Sequence, residues 1–335
     1  MSYYSLDMEL SSFAIFISGL VVIVLGSELL LRGASWLAAW MGIRPMVIGL
    51  TVVSVGTSAP ELAVGLTAVS QGIPEIAIGN IAGTNMVNLL LILGLSAALR
   101  PLPLQSNSIR LDVPFMIFSA LLILVMAING VLSIVEGWIL FILAVVYTIF
   151  LLRASRKESW KIKREYSEEY SQPVLVKGKT NPWLVVWNAV LLIGGIILAI
   201  TGSDLLVNGA SEIARKLGVS EAIIALTIVA IGTSAPELVT TIVATIKNDR
   251  DVAIGNLIGS SIYNILVILG LTAGFSSDGI AVSKDLLMID LPLAALAAIV
   301  CYPVFKSSKM VTRKEGIFFV TCYVLYITSL IIFRT

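Results

Sequence analysis

Gly56-Thr57-Ser58-Ala59-Pro60-Glu61 and Gly232-Thr233-Ser234-Ala235-Pro236-Glu237 are the same six residues, 176 positions apart. The match continues outward at the same offset without a gap. Gly26-Ser27-Glu28-Leu29-Leu30 faces Gly202-Ser203-Asp204-Leu205-Leu206, Gly33-Ala34-Ser35 faces Gly209-Ala210-Ser211, and Gly79-Asn80 faces Gly255-Asn256. Gly83, Asn88 and Gly94 answer Gly259, Asn264 and Gly270, and roughly half of the positions from 56 to 95 recur in 232 to 271. After a shift of two residues, Asp112-Val113-Pro114 answers Asp290-Leu291-Pro292. The chain is an internal duplication, and the order of its apolar segments decides how the copies are related.

Of 335 residues, 58% are hydrophobic and 13% charged, with mean hydropathy +0.99. A soluble domain is about a quarter charged, so the composition excludes one. A hydrocarbon core of about 30 Å takes about 20 apolar residues per helical crossing. Apolar runs between polar breaks predict helices at 12–40, 43–70, 73–99, 111–130, 133–152, 182–214, 219–246, 250–274, 285–305 and 315–333. These runs are too long and unbroken for the alternating strands of a membrane barrel, about 10 residues each. Residues 1–12 carry Asp7 and Glu9 but no Lys or Arg, unlike a cleaved signal, so the first run is expected to be a true span. The expected fold is an all-α polytopic membrane protein of ten transmembrane helices, five per copy. Five is odd, so the second copy enters the membrane from the opposite side and the repeats are inverted. Inverted repeats place a transport site near the midplane, where the copies meet.

Basic residues set the orientation. Arg44, Arg100, Arg110, eight Lys or Arg between 153 and 179, Lys247, Arg250, Lys306, Lys309, Arg313 and Lys314 fall on one side, against Arg215, Lys216, Lys284 and Arg334 on the other. The first side is expected to be cytoplasmic in a plasma membrane, with both termini outside. The division is then a first repeat, 1–152, a charged cytoplasmic loop, 153–181, and a second repeat, 182–335. Net charge is +1, so nothing points to nucleic acid, and no obligate protein partner is evident beyond the lipid bilayer. His is absent, and Cys301 and Cys322 lie in apolar runs. No cofactor is implied, and a bound ion must be held by oxygen.

The motif supplies oxygen. Proline removes an amide donor and clashes one turn back, so Pro60 frees carbonyls near Gly56 and Thr57. Groups freed in lipid need another partner. Glu61 and its twin Glu237 put carboxylates in apolar helices, where a charge is costly and marks an ion pathway. Thr57 and Glu61 are four apart on one face, as are Thr84 and Asn88, Thr233 and Glu237, and Ser260 and Asn264. With Ser58 and Ser234 they form an all-oxygen set, the chemistry that hard cations such as Ca2+ take. Two Glu charges balance one Ca2+ or a similar count of Na+.

Structural readings stand beside these. Gly79-x-x-x-Gly83 and Gly255-x-x-x-Gly259 read as helix packing. The motif Thr and Ser can also back-bond to helix carbonyls. Asn80 and Asn256 can bind ions or cross-link helices. Glu28 and Arg32 read as an i, i+4 ion pair, Asp204 is open, and Asp112 and Asp290 read as N-caps ahead of their prolines.

The two motifs, with Gly83-Thr84-Asn85-Met86-Val87-Asn88 and Gly259-Ser260-Ser261-Ile262-Tyr263-Asn264, resemble the α-repeats of the sodium/calcium exchangers in the calcium/cation antiporter superfamily. The resemblance covers both repeats closely. It implies Na+-driven Ca2+ extrusion by alternating access, electrogenic because more than two Na+ exchange per Ca2+. It also implies ligands at Thr57, Ser58, Glu61, Thr84 and Asn88, at Thr233, Ser234, Glu237, Ser260 and Asn264, and at the carbonyls of Ser54 and Ala230. Potassium-dependent relatives have Asp where this chain has Asn264, which disfavours K+ co-transport. Asn80 and Asn256 lack the Glu three residues on that marks proton/calcium exchangers, and 153–181 lacks the calcium-sensing domains of animal exchangers. The competing readings are a Ca2+/H+ antiporter using the same glutamates and, more remotely, a passive cation channel. Neither is an enzyme.

Overall fold

The computed structural model describes residues 3–156, 182–217 and 230–334. Most of the expected 153–181 loop, and 219–229 of the expected seventh helix, lie outside the described residues. The helices are α1 (Tyr3–Met41), the bent pair α2 (Pro45–Thr57) and α3 (Ala59–Ser70), α4 (Glu75–Leu99), α5 (Ser108–Asn129), α6 (Ile134–Arg156), α7 (Pro182–Lys216), α8 (Ala230–Thr233), α9 (Ala235–Ile246), α10 (Arg250–Gly274), α11 (Leu286–Ser308) and α12 (Arg313–Arg334). Among the described residues seven helices are long and apolar enough to cross a membrane, or eight if α2 and α3, bent by 42°, form one span. Helix α1 is described from Tyr3, ahead of the apolar run, and Tyr3 to Leu10 hold no Gly or Pro that would stop a helix.

Burial sorts these helices. In α4 and α10, which carry the second half of each motif, 72% and 94% of the apolar window is buried, against 22% to 39% in the other five long helices. The outer helices turn Val125, Val135, Ile142 and Ile193 outward, an apolar surface that only lipid satisfies. The chain is a helical polytopic membrane protein with its polar residues inside: Glu61, Glu237, Asn88, Asn256 and Asn264 have no exposed surface.

Contacts recur with the two copies exchanged. A Cβ on Gly19 would lie 2.8 Å from the Gly202 carbonyl oxygen, and a Cβ on Gly195 would lie 2.7 Å from that of Gly26. Adding 176 to the first residue and subtracting it from the second turns one pair into the other. Helices α1 and α7 therefore touch backbone to backbone, an approach that glycine alone permits. Gly94 likewise abuts Gly316, and Gly270 abuts Gly137. Strand β1 (Leu102–Pro103) pairs antiparallel with a later β4 (Met310–Val311), and β2 (Val131–Leu132) pairs with β3 (Ile280–Ala281). After α3 and after α9 the chain turns through a left-handed residue, Gly72 (φ 74°) in one copy and Asn248 (φ 67°) in the other, the two residue types that tolerate it best.

Three acids take other partners than expected. Glu28 pairs with Lys247 across helices, Oε1 to Nζ 2.6 Å, rather than with Arg32. Asp112 lies inside α5, past its start at Ser108, and its Oδ1 accepts the Tyr147 hydroxyl at 3.0 Å. Asp290 closes a π-helical turn, Leu286–Asp290, that runs directly into Leu291–Ser308, so there is no helix start for it to cap. Of the packing glycines, Gly255 and Gly259 lie against the backbone of Met46 and Leu50 on α2. The matching partners of Gly79 and Gly83, at 222 and 226, lie outside the described residues.

Candidate functional site

Each motif is built the same way. Ser58 (φ −84°, ψ 12°) and Ser234 (φ −89°, ψ 8°) leave the helical region, and a new helix begins at the next residue with Pro60 or Pro236 in its first two positions. Proline there costs nothing, since its missing amide would have had no intrahelical partner. The break is thus two half-helices meeting at a serine, not a kinked single helix. It places Glu61 and Glu237 in the first turn of α3 and α9, at the positive end of each helix dipole, where a carboxylate is favoured. Both glutamates are fully buried.

The copies reach across to each other here. The Ser58 hydroxyl of the first copy donates to Glu237 Oε1 of the second at 2.8 Å. Glu61 is within electrostatic reach of Glu237 and lies beside Ser234, while Thr57 and Ser260 lie beside Glu237. Asn88 sits in a π-helical turn, Val87–Ile92, and Asn264 in another, Asn264–Leu269. The Asn88 turn packs on α9, which carries Glu237, and the Asn264 turn packs on α3, which carries Glu61. Asn85 Nδ2 donates to the Ser261 carbonyl at 3.3 Å; these are equivalent positions 176 apart, so this contact marks where the copies meet.

The cluster is short of partners. Both oxygens of Glu61, Oε2 of Glu237, the hydroxyls of Thr84, Ser234 and Ser260, and both amide atoms of Asn88 and Asn264 are buried with no hydrogen bond. An unsatisfied buried polar group costs about 1–3 kcal/mol, more when charged. So many together are tolerable only if something else supplies their interaction. The oxygens among them are the donor type that a hard cation takes, whereas the Asn88 and Asn264 amide nitrogens call for an acceptor.

The other expected ligands are placed less freely. Thr57 Oγ1 is 3.4 Å from both Ser54 O and Asn256 Oδ1, a back-bond within its own helix and a contact to the other copy. The Ser54 carbonyl takes the Ser58 amide at 3.0 Å as well as the longer Thr57 hydroxyl contact, so both of its lone pairs already face protein donors. The Gly232 carbonyl, one of those freed by proline, takes the Ser203 hydroxyl at 2.5 Å. Thr233 is partly buried, and Ala230 opens α8 at the edge of the described residues. Asn256 proves to be a cross-link: its Nδ2 donates to Thr241 Oγ1 at 3.2 Å, and its backbone carbonyl accepts Ser54 Oγ at 3.0 Å. Thr241 was not singled out from the sequence, although its place four residues after Glu237, on the same helix face, was the available signal. Removing one cross-copy contact tests this geometry: Ser58→Ala should weaken apparent Ca2+ affinity about ten- to a hundredfold, the worth of one hydrogen bond to a charged group, with protein yield unchanged. An unaltered affinity would detach Ser58 from the site.

Fold and site together define an integral membrane protein whose centre is a buried, oxygen-lined cluster shared by two copies of one motif. Comparison with known proteins agrees with that class. The family model described as sodium/calcium exchanger protein matches residues 11–153 and again 187–332. The sodium/calcium exchanger MaX1 of Methanosarcina acetivorans is 31% identical over 95% of this chain and 98% of its own. Inner membrane protein YrbG of Escherichia coli is 34% identical over 86% and 88%. Among solved structures, the sodium-calcium exchanger NCX_Mj superposes with a TM-score of 0.78 at 30% identity, covering 95% of this chain and 98% of that one. The chain belongs to the sodium/calcium exchanger family, a family of transporters and not of enzymes.

Proposed function

We propose that this protein is an electrogenic antiporter that exchanges Na+ for Ca2+ across the plasma membrane by alternating access. Its single midplane site is made by Glu61 and Glu237 with Thr57, Ser58, Thr84, Asn88, Thr233, Ser234, Ser260, Asn264 and the carbonyls of Ser54 and Ala230. The observation that carries the reading is the Ser58–Glu237 hydrogen bond across the copies, amid buried oxygens that lack other partners. Ten crossings in two inverted halves, 1–152 and 182–335 joined by a cytoplasmic 153–181 loop, account for a motif whose copies face each other. With N- and C-termini outside, most basic residues lie in the cytoplasm.

Alternation is supported by where the exchanged contacts fail. The core pairs recur in both copies, but Gly56 faces Ile196 while Gly232 faces Val207, both on α7. The α1–α7 pair therefore sits differently against the two motifs, and moving it to the reciprocal position would open the site to the other side. Two ionised glutamates are neutralised by one Ca2+ and overbalanced by more than two Na+, so the Na+-loaded form carries the net charge and feels the membrane potential.

Purified protein in sealed vesicles tests this. Ca2+ uptake should follow an outward Na+ gradient, ignore K+, and change rate when a valinomycin-set potential is reversed. Uptake driven by a pH gradient and indifferent to Na+ would assign the same glutamates to proton exchange. Sustained unitary currents would replace alternating gates by a channel.

A further inference from the structure

We propose that α1 is latched to α9 by polar contacts that exist in one repeat only, and that this latch biases the exchanger towards the state closed to the cytoplasm. The inference rests on the alternating-access reading above.

Three contacts run in parallel along the two helices and just beyond α9. Ser27 Oγ and Thr240 Oγ1 share a buried hydrogen bond of 3.0 Å. Glu28 Oε1 meets Lys247 Nζ at 2.6 Å. Ser35 Oγ donates to Asp249 Oδ2 at 2.7 Å. They begin three residues after Glu237 and end beside a cavity of about 430 Å3 lined in part by Glu28, Arg32, Ser35, Trp187, Lys247 and Asp249. By the distribution of basic loops this is the cytoplasmic end of both helices.

The duplication shows that the latch is not shared. On the α1 side the residues are copied: Ser27, Glu28 and Ser35 become Ser203, Asp204 and Ser211 on α7. Their partners are not. Thr240, Lys247 and Asp249 correspond to Val64, Gln71 and Ile73, which offer no hydroxyl, no cation and no carboxylate. Ser203 bonds the Gly232 carbonyl instead. When the α1–α7 pair moves to the reciprocal position, the cytoplasmic contacts break and the outer end has no equivalent set to form. The two end states therefore differ in free energy by the worth of the latch, although the repeats that form them are nearly alike.

The apparent affinity measured from one side scales with the fraction of protein open to that side. The Glu28–Lys247 pair is half-exposed, 46% and 51% for Lys and Glu, so it shifts the equilibrium by about threefold; the buried Ser27–Thr240 bond shifts it by about fivefold.

The test uses the full chain in vesicles of known orientation, with Ca2+ half-saturation measured separately from each face. Glu28→Gln and Lys247→Gln should each tighten the cytoplasmic-side value about threefold and weaken the outer one by less, and Thr240→Val should do the same more strongly. The exchanged pair Glu28→Lys with Lys247→Glu should return both values to those of the wild type, which general damage to folding would not do. Unchanged sided affinities in all variants, or an exchanged pair that turns over normally without restoring them, would overturn the latch while leaving exchange intact. A wild-type protein without Na+-driven exchange would overturn both.

Discussion

Glu61→Gln will lower Na+-driven Ca2+ flux by about a hundredfold or more, and Glu237→Gln will do the same. Each change keeps the side chain's shape and removes one of only two carboxylates in the candidate site; among the described residues no cluster of three or more His, Cys, Asp or Glu can substitute. A Ca2+ ion in a singly charged site retains uncompensated charge in a low-dielectric interior. Losing one partner of a buried charge contact costs about 3–5 kcal/mol, which is roughly two to four powers of ten. The same argument gives the opposite sign for stability. Each glutamate is fully buried, and neither Glu61 oxygen takes a hydrogen bond from the protein, so neutralising it removes a desolvation cost wherever no cation offsets that cost. The Gln variants should melt at or above the wild-type temperature in Na+- and Ca2+-free detergent and should lose the stabilisation that Ca2+ gives the wild type. Thermal unfolding with and without Ca2+, beside vesicle uptake, checks both halves. Near-normal transport by either variant would remove that residue from the site.

Gly195→Ala will destabilise the protein severely, and Gly194→Ala, one residue away, will not. A Cβ on Gly195 would fall closer to the backbone nitrogen of Leu30 than real atoms approach, and 2.7 Å from the Gly26 carbonyl oxygen. Backbone cannot rotate away as a side chain can, so α1 and α7 must part along their length. Overpacking costs about 1–3 kcal/mol where side chains yield, and this site lacks that relief. A Cβ on Gly194 meets nothing within 4 Å among the described residues. Gly26→Ala should match Gly195→Ala, since each glycine faces the other's helix. Monodisperse yield and melting temperature read the contrast. Equal stability of the two alanine variants would show that α1 and α7 are not held at the separation described.

Much of this was legible in the sequence because duplication supplies its own control. Glu61 and Glu237 stood out as paired charges in apolar helices, and the structure buries both and brings the opposite copy's serine to Glu237. The half-helix breaks were legible as Pro60 and Pro236, although the non-helical residue is the serine two positions before. The π-helical turns at Asn88 and Asn264 were not legible. Val87–Ile92 and Asn264–Leu269 are ordinary apolar stretches, and an extra residue in a helical turn follows from tertiary packing rather than composition. The two-residue strand pairs were invisible for the same reason. The sequence offers Arg32 as the partner of Glu28 because i, i+4 spacing is all that one helix shows. Its partner, Lys247, is over 200 residues away, and only the fold brings them together.

Equilibrium Ca2+ binding to the purified protein tests most directly whether two motifs make one site. The account predicts one Ca2+ per chain, displaced by Na+, and no measurable binding in either Glu61→Gln or Glu237→Gln, because each glutamate completes the other's site. Two Ca2+ per chain, or half the capacity surviving in each single variant, would mean that each repeat binds on its own and would contradict it.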